Sequence, residues 1–289
     1  MIARVTWLGH ATAHIEMGDE GVLVDPLGRR RARTAEGRYR AVLITHAHVD
    51  HLNRWTLKKL DRGASLIVPK GAGRVVRDLG FREVREVEPG DQLSLGKLDV
   101  ICVPTKHDRG RWRKGDRPDC TGYVIHRDGH AVHHAGDVDM STYDLFEALG
   151  RDFKLDATLL PIGGMLPTWY YRMRRRSLDR GVHIDPDTAL HIAERLGAAR
   201  MIPVHWGTLS LRLGQLANAP RRRLSKVAAD LGATRLVHFL GHGESLSLAA
   251  PVEANDANDA DQRHGNADER SEDLVVGGAA TGHEAAQAK

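Results

Sequence analysis

The sequence predicts a mixed α/β protein with a two-sheet body, and three observations support this fold class. Short runs of β-forming residues alternate with segments of helical periodicity along most of the 289-residue chain. Such runs occur in both halves of the chain, which favours two sheets. Residues 21–24 and 41–45 are nearly continuous apolar runs, typical of strands that are covered on both faces.

Eleven segments have the pattern of strands, rich in β-branched and other apolar residues. In chain order they are Val5–Leu8, Ala13–Glu16, Gly21–Val24, Ala41–Thr45, Leu66–Val68, Leu98–Val103, Gly122–Ile125, His130–His134, Ala157–Leu160, Met201–Val204 and Leu236–Leu240.

Four segments have helical periodicity with recognisable ends. The clearest start is Asp185-Pro186, an N-cap residue followed by a proline in the first turn, and Gly197 can end that helix. The other three helices are predicted from Asn53 to about Leu60, from Gly71 to Leu79, and after a cap at Ser141 or Thr142.

The net charge of +4 hides an asymmetry along the chain. Residues 251–289 hold nine acidic and three basic side chains, whereas residues 1–250 carry a net charge of +10. The acidic segment has too few bulky apolar residues to offset the entropy of ordering it. We therefore predict one folded domain at residues 1–250 and an acidic, disordered tail at 251–289, with the alternative that the tail folds back on the basic body.

Composition argues against several classes of protein. No stretch approaches the roughly 18 consecutive apolar residues of a membrane span, and the first residues lack the pattern of a signal peptide. The two cysteines, Cys102 and Cys120, fit neither a disulfide scaffold nor a thiolate metal site. We expect a cytoplasmic protein, and its 17 histidines become the candidates for chemistry.

The segment THAHVDHLN, residues 45–53, holds the densest set of potential metal ligands. His46, His48, Asp50 and His51 lie within six residues, directly after a predicted strand. An alternating His-x-His at the end of a strand can direct two imidazoles to one side, and Asp50-His51 turn back where the next helix begins. One loop can therefore supply two neighbouring metal sites.

In this setting HAHVDH resembles the signature of the metallo-β-lactamase fold, an αββα sandwich of two mixed β-sheets flanked by helices. Over residues 3–248, the later strand ends offer the histidine, aspartate and histidine of that superfamily in the same order, at His107, Asp137 and His205. The resemblance implies two zinc ions with Asp137 as the bridging ligand. The implied ligands are His46, His48 and His107 for one ion, and Asp50, His51 and His205 for the other. Iron and manganese stay open as alternatives, because such sites discriminate poorly between these metals.

Further segments resemble the branch that contains N-acyl-phosphatidylethanolamine-hydrolysing phospholipase D and, more distantly, L-ascorbate-6-phosphate lactonase. The closest agreement is VHIDPDTALHIAERLGAARMIPVHWGTLSL, residues 182–211. Its His183 matches a family histidine implicated in the active site, which implies that His183 positions substrate or delivers a proton. Asp119-Cys120-Thr121-Gly122 departs from the Leu-Trp that relatives often carry there, so we expect the substrate-facing wall to differ.

Hydrolysis is the predicted activity, because two zinc ions about 3.5–4 Å apart lower the pKa of bound water from about 15.7 towards 7. The predicted catalytic residues are Asp50, Asp137 and His183, with Asp137 orienting the zinc-bound hydroxide. A run of basic residues from Arg109 to Lys114 begins two residues after His107 and favours an anionic group. The leading prediction is a phosphodiester substrate such as an N-acyl-phosphatidylethanolamine-like phospholipid.

The remaining basic and aromatic segments leave alternatives open. Arginine clusters at residues 29–33 and 172–176 either bind phosphate or form solvated surface, and Met165–Met173 suits either a lipid-facing loop or a subunit interface. The predicted cytoplasmic location therefore includes peripheral contact with the inner face of the membrane as an alternative. A lactonase or other ester hydrolase acting on an anionic small molecule is the main alternative. An aromatic content of 5% argues against a nuclease, so we expect no nucleic-acid partner. The complete set of candidate metal ligands argues against a non-catalytic binding protein. The sequence leaves the oligomeric state open.

The histidines outside the ligand set are interpreted mainly as structural or surface residues. His10 either orients a metal ligand or is a hydrogen-bonded core residue. His133 and His134 alternate along a strand, so at most one can face the metals, and a structural role is predicted for both. His238 and His242 are predicted to be structural, and His126, His130, His191, His264 and His283 to lie on the surface.

Overall fold

The computed structural model describes residues 2–28, 35, 38–107, 119–139, 143–163, 184–207 and 218–248. Within these residues the chain forms thirteen strands in two sheets, together with five α-helices. The predicted tail at 251–289, His183, the three clusters of basic residues and Met165–Met173 lie outside the described residues. Among those described, no helix is long and apolar enough to cross a membrane.

The first sheet has seven strands in the order β13-β1-β2-β3-β4-β5-β6. Strands β13 to β3 pair antiparallel, and β3 to β6 pair parallel, so the sheet is mixed. The strands are β1 (Ala3–Gly9), β2 (Thr12–Met17), β3 (Glu20–Val24), β4 (Ala41–Leu43), β5 (Ser65–Pro69), β6 (Glu83–Val87) and β13 (Ser245–Leu248).

The second sheet has six strands in the order β12-β11-β10-β9-β8-β7 and is also mixed. Strands β10, β11 and β12 run parallel, and the pairs from β10 to β7 are antiparallel. The strands are β7 (Gln92–Leu95), β8 (Leu98–Pro104), β9 (Thr121–Arg127), β10 (His130–His134), β11 (Ala157–Pro161) and β12 (Met201–Val204).

Helices cover the outer faces of both sheets. The helices are α1 (Arg54–Leu57), α2 (Gly73–Val76), α3 (Tyr143–Asp152), α4 (Pro186–Arg195) and α5 (Ala219–Asp230). Along β3, Val22 and Val24 join the core between the sheets, whereas Leu23 packs with α1 and α2. This alternation explains the continuous apolar run of β3, because both of its faces are buried.

The predicted two-sheet α/β architecture with flanking helices is confirmed. The predicted strands are present except Leu236–Leu240, where Val237 forms only an isolated bridge with Met201. The predicted helix at 71–79 is divided into α2 and a 3-10 turn at Arg77–Leu79. The placement of His130 at the surface is wrong, because its side chain is buried and pairs with Asp156 at 2.9 Å.

Candidate metal centre

The predicted ligands lie just beyond the C-terminal ends of four strands. His46, His48, Asp50 and His51 follow β4 in the first sheet, whereas His107, Asp137 and His205 follow β8, β10 and β12 in the second. Backbone hydrogen bonds tie these loops together: the N–H of Asp139 donates to the carbonyl of Lys106, and that of Thr121 to Thr45. All seven predicted ligands therefore meet at one edge of the sandwich.

The side chains form two groups, each compact enough to hold a metal ion. One group is His46, His48, His107 and Asp137, and the other is His10, Asp50, His51 and His205. Within each group the potential ligand atoms lie within 4.8 Å of one another. The first group is the predicted ligand set of one ion, with Asp137 included, and the second contains the predicted set of the other ion with the addition of His10.

The carboxylate of Asp137 lies between the two groups. Its Oδ2 is 3.5 Å from Nε2 of His46 and 3.3 Å from Nε2 of His51, and its Oδ1 is 3.5 Å from Nε2 of His205. His46 belongs to one group and His51 and His205 to the other, and Asp137 is almost fully buried. This is the placement that a bridging carboxylate requires.

Asp25, which the sequence analysis missed, anchors the histidine loop by hydrogen bonds to Thr45 and His51. Its carboxylate accepts hydrogen bonds from the backbone N–H of Thr45 at 2.8 Å, from Oγ1 of Thr45 at 2.6 Å and from Nδ1 of His51 at 2.7 Å. Because the Thr45 hydroxyl donates to Asp25, it accepts from Nδ1 of His46, 3.1 Å away. Asp25 therefore sets the ring orientation of His51 directly and that of His46 through Thr45.

This arrangement turns the lone pair at Nε2 of His46 towards the carboxylate of Asp137. Within the described residues, the Nε2 atoms of His46, His48 and His51 are buried without a hydrogen-bond partner. Burial, and then the neighbouring His51, lower the pKa of His46 well below its usual value, so a proton does not relieve the contact between the two acceptors. A cation would relieve it, and imidazole and carboxylate groups are suitable ligands for zinc, iron and manganese.

The pKa values of the histidines around Asp137 are shifted in opposite directions. Burial lowers the pKa of His51, but the Asp137 and Asp25 carboxylates outweigh burial and raise that pKa well above its usual value. For His48, burial and then His107 lower the pKa to about 4. A metal ion at Nε2 of His51 would take the place of the proton that the two carboxylates otherwise favour.

Backbone strain is concentrated at the centre. The described residues include four non-glycine positions with positive φ, and three of them are His10 at 55°, Asp25 at 46° and His205 at 59°. Such conformations cost about 1–2 kcal/mol and persist where the surroundings over-determine them. Gly136 also has a positive φ, and a Cβ at this position would lie 2.7 Å from Cβ of Thr45, so the chain before Asp137 passes close to the histidine loop.

His183, the remaining predicted site residue, lies outside the described residues. The next residue, Ile184, donates its backbone N–H to the carbonyl of Val138 at 3.0 Å, one position after Asp137. Asp185 then caps α4 by accepting from the N–H of Thr188 at 2.8 Å, as the sequence predicts. The predicted role of His183 stays a prediction.

The histidines of β10 have structural contacts. Nδ1 of His133 lies 3.0 Å from the hydroxyl of Thr158, and burial, then His134, lower the pKa of His133 to about 3. His134 donates to the carbonyl of Ala11 at 2.9 Å. Neither residue belongs to the two ligand groups.

Comparison with known proteins identifies a family match over most of the described body. Residues 21–206 match the family model described as a beta-lactamase superfamily domain. An uncharacterized protein of Mycobacterium tuberculosis is 29% identical in an alignment of 232 positions that covers 72% of this chain and 59% of that relative, so the chain spans about three fifths of the relative's length. A UPF0173 metal-dependent hydrolase of Rubrobacter xylanophilus is 27% identical over 84% of this chain and 96% of its own length.

Solved structures show the same fold at low sequence identity. The metallo hydrolase Igni18 of Ignicoccus hospitalis aligns over 87% of this chain and 100% of its own, with a TM-score of 0.66 and 21% identity. An isothiocyanate hydrolase from Delia radicum gut bacteria aligns over 84% of this chain and 98% of its own, with a TM-score of 0.64 and 16% identity.

Proposed function

We propose that this chain, which belongs to the beta-lactamase superfamily, is a metal-dependent hydrolase like its relative from Rubrobacter xylanophilus, and that it holds two metal ions and hydrolyses a phosphodiester. The observation that carries the proposal is the pair of adjoining ligand groups with Asp137 between them. His46, His48 and His107 would hold one ion, Asp50, His51 and His205 the other, and Asp137 both. Zinc is the proposed metal.

A pair of divalent ions supplies two things to ester hydrolysis: it lowers the pKa of water towards neutrality and it stabilises developing negative charge. The residues of the chain make this chemistry specific. Asp25 fixes the ring of His51 directly and that of His46 through Thr45, so that the Nε2 atoms of both rings already point to where the metal ions would bind. Asp137, buried between the groups, is the carboxylate that can orient the attacking water.

The proposed substrate is anionic, with a phospholipid of the N-acyl-phosphatidylethanolamine type as the leading case. The basic run from Arg109 to Lys114 begins two residues after His107. An arginine guanidinium can donate two parallel hydrogen bonds to the oxygens of one phosphate group. His183 is proposed to position the substrate or deliver a proton. The support is that its neighbour Ile184 donates its backbone N–H to the carbonyl of Val138, the residue after Asp137. Access to such a lipid would require peripheral contact with a membrane.

The test combines metal content with turnover of two model substrates. Mass spectrometry of the purified protein should give two metal equivalents, and bis(p-nitrophenyl) phosphate should be hydrolysed. Asp137→Asn should reduce that turnover by at least about 100-fold, because the amide cannot serve as a charged bridge between two ions. The matched control is Asp156→Asn, an aspartate that pairs with His130 at the opposite end of β10.

Each result decides a different part of the proposal. Phosphodiester turnover that is lost in Asp137→Asn and retained in Asp156→Asn supports it. Turnover of a simple lactone without phosphodiester turnover overturns the proposed substrate and favours the lactonase alternative. Protein that binds no metal and stays inert after zinc is added overturns the two-metal site.

A further inference from the structure

His10 lies in the second ligand group, although its position after β1 is remote in sequence from the histidine loop. Its Nε2 is 3.0 Å from Oδ2 of Asp50, and its ring centroid is 3.9 Å from that of His205. The side chain is buried. Because an ionised carboxylate only accepts hydrogen bonds, Nε2 of His10 is the donor in its contact with Asp50.

The backbone of His10 is fixed independently of this contact. Its carbonyl accepts the indole N–H of Trp7 at 2.8 Å and the backbone N–H of His205 at 2.9 Å. These two bonds help to hold the left-handed conformation of His10, which a non-glycine residue adopts only at a cost. The backbone of His10 is therefore held in place by hydrogen bonds to Trp7 and His205, and this fixes the position from which its imidazole contacts Asp50.

Asp50 is the least enclosed carboxylate of the centre. Its side chain is 24% exposed, compared with 1% for Asp137, and it lies on the turn that includes the exposed Val49. Nε2 of His205 is 3.6 Å from Oδ2 of Asp50, beyond hydrogen-bond distance. The shorter contact, from His10, restrains the carboxylate while leaving lone pairs on its oxygens for a metal ion.

We propose that His10 is a positioning residue that holds the Asp50 carboxylate in place and thereby prepares the second metal position, without being a ligand itself. This inference rests on the proposed two-metal function. It explains why His10 joins Asp50, His51 and His205 in one group although the predicted ligand set is complete without it.

The test is a zinc titration of the full-length, metal-free protein by calorimetry with a competing chelator. We expect His10→Ala to weaken one of the two zinc sites about 10- to 100-fold and to leave the other unchanged. His10→Gln should recover part of the loss, because its amide N–H can donate to Asp50. The matched control is His133→Gln, a buried histidine outside both ligand groups, which should bind zinc like the wild type.

A double-mutant cycle separates positioning from direct ligation. If His10 acts through Asp50, His10→Ala should have no further effect on zinc affinity in an Asp50→Ala background. Additive effects of the two substitutions, or unchanged zinc affinity in His10→Ala, overturn the positioning role. His10→Leu, which keeps most of the volume and cannot donate to Asp50, serves for the cycle if His10→Ala does not fold. Wild-type protein that takes up fewer than two zinc ions fails the proposed function itself, a result visible before any variant is measured.

Discussion

Asp25 shows that the candidate metal ligands alone do not describe the centre fully. The histidines could be predicted from the sequence because HAHVDH is dense and follows an apolar strand. Asp25 follows the strand β3, twenty residues before Thr45, and its only signal is an aspartate before a proline at a strand end. Its role depends on the parallel pairing of β3 with β4, which places the two strand ends side by side.

We expect Asp25→Asn to lower the free energy of unfolding by about 1–3 kcal/mol, because the amide nitrogen cannot accept from Thr45 and His51 as the carboxylate does. Asparagine keeps the volume and tolerates the positive φ, so the effect isolates the lost acceptor. Denaturant unfolding in the presence of chelator measures it without the contribution of metal.

Asp61→Asn is the control for this experiment. The Asp61 side chain accepts the N–H of Gly63 at an exposed turn, so its substitution should change stability little. Equal stability of the two variants would contradict the supporting role of Asp25.

Among the elements, strands with continuous apolar runs were predictable, and edge strands with few apolar residues were not. Residues Val22–Val24 and Ala41–Leu43 lie in the interior of a sheet with both faces covered, and their apolar runs show it. The edge strands β6 (EVREV), β7 (QLSL) and β13 (SLSL) have only two apolar residues each, so all three were missed. The edge strand β12 (MIPV) is apolar and buried throughout, and it was predicted. Helix α5 was missed because its exposed face is basic, with Arg221, Arg222 and Arg223 in succession.

Helix α4 was predicted from its start, and that start can be tested. We expect Asp185→Ala to destabilise the protein by about 1 kcal/mol, because the N–H of Thr188 loses its capping acceptor. Thermal or denaturant unfolding measures the change. Glu194→Ala, on an exposed position of the same helix, is the control, and an equal loss in both variants would show that the cap contributes nothing specific.

At the scale of the whole molecule, the candidate metal ligands come from both sheets. His46, His48, Asp50 and His51 come from the first sheet, and His107, Asp137 and His205 from the second. A metal ion that binds across them should therefore stabilise the sandwich itself. Zinc at about 100 times its dissociation constant should add about 2.7 kcal/mol to the free energy of unfolding, provided that the unfolded chain does not bind it.

Removal of metal with a chelator should accordingly lower the melting temperature, and added zinc should restore it. Differential scanning calorimetry measures both changes. Asp137→Asn, which removes the carboxylate that lies between the two groups, should respond less to zinc than the wild type. A melting temperature that is the same with and without chelator, in protein shown to have carried metal, would contradict the coupling.

The pairing of β1 with β13 has a consequence for how the molecule is made. Ala3 pairs with Leu248, and the hydroxyls of Thr6 and Ser245 are hydrogen-bonded across 239 positions of the chain. During synthesis at about 5–20 residues per second, β1 must wait some ten to fifty seconds before its outer neighbour leaves the ribosome. For that time the edge of β1 lacks its partner strand, so we expect the yield of folded protein to depend on translation speed and chaperone access as well as on sequence.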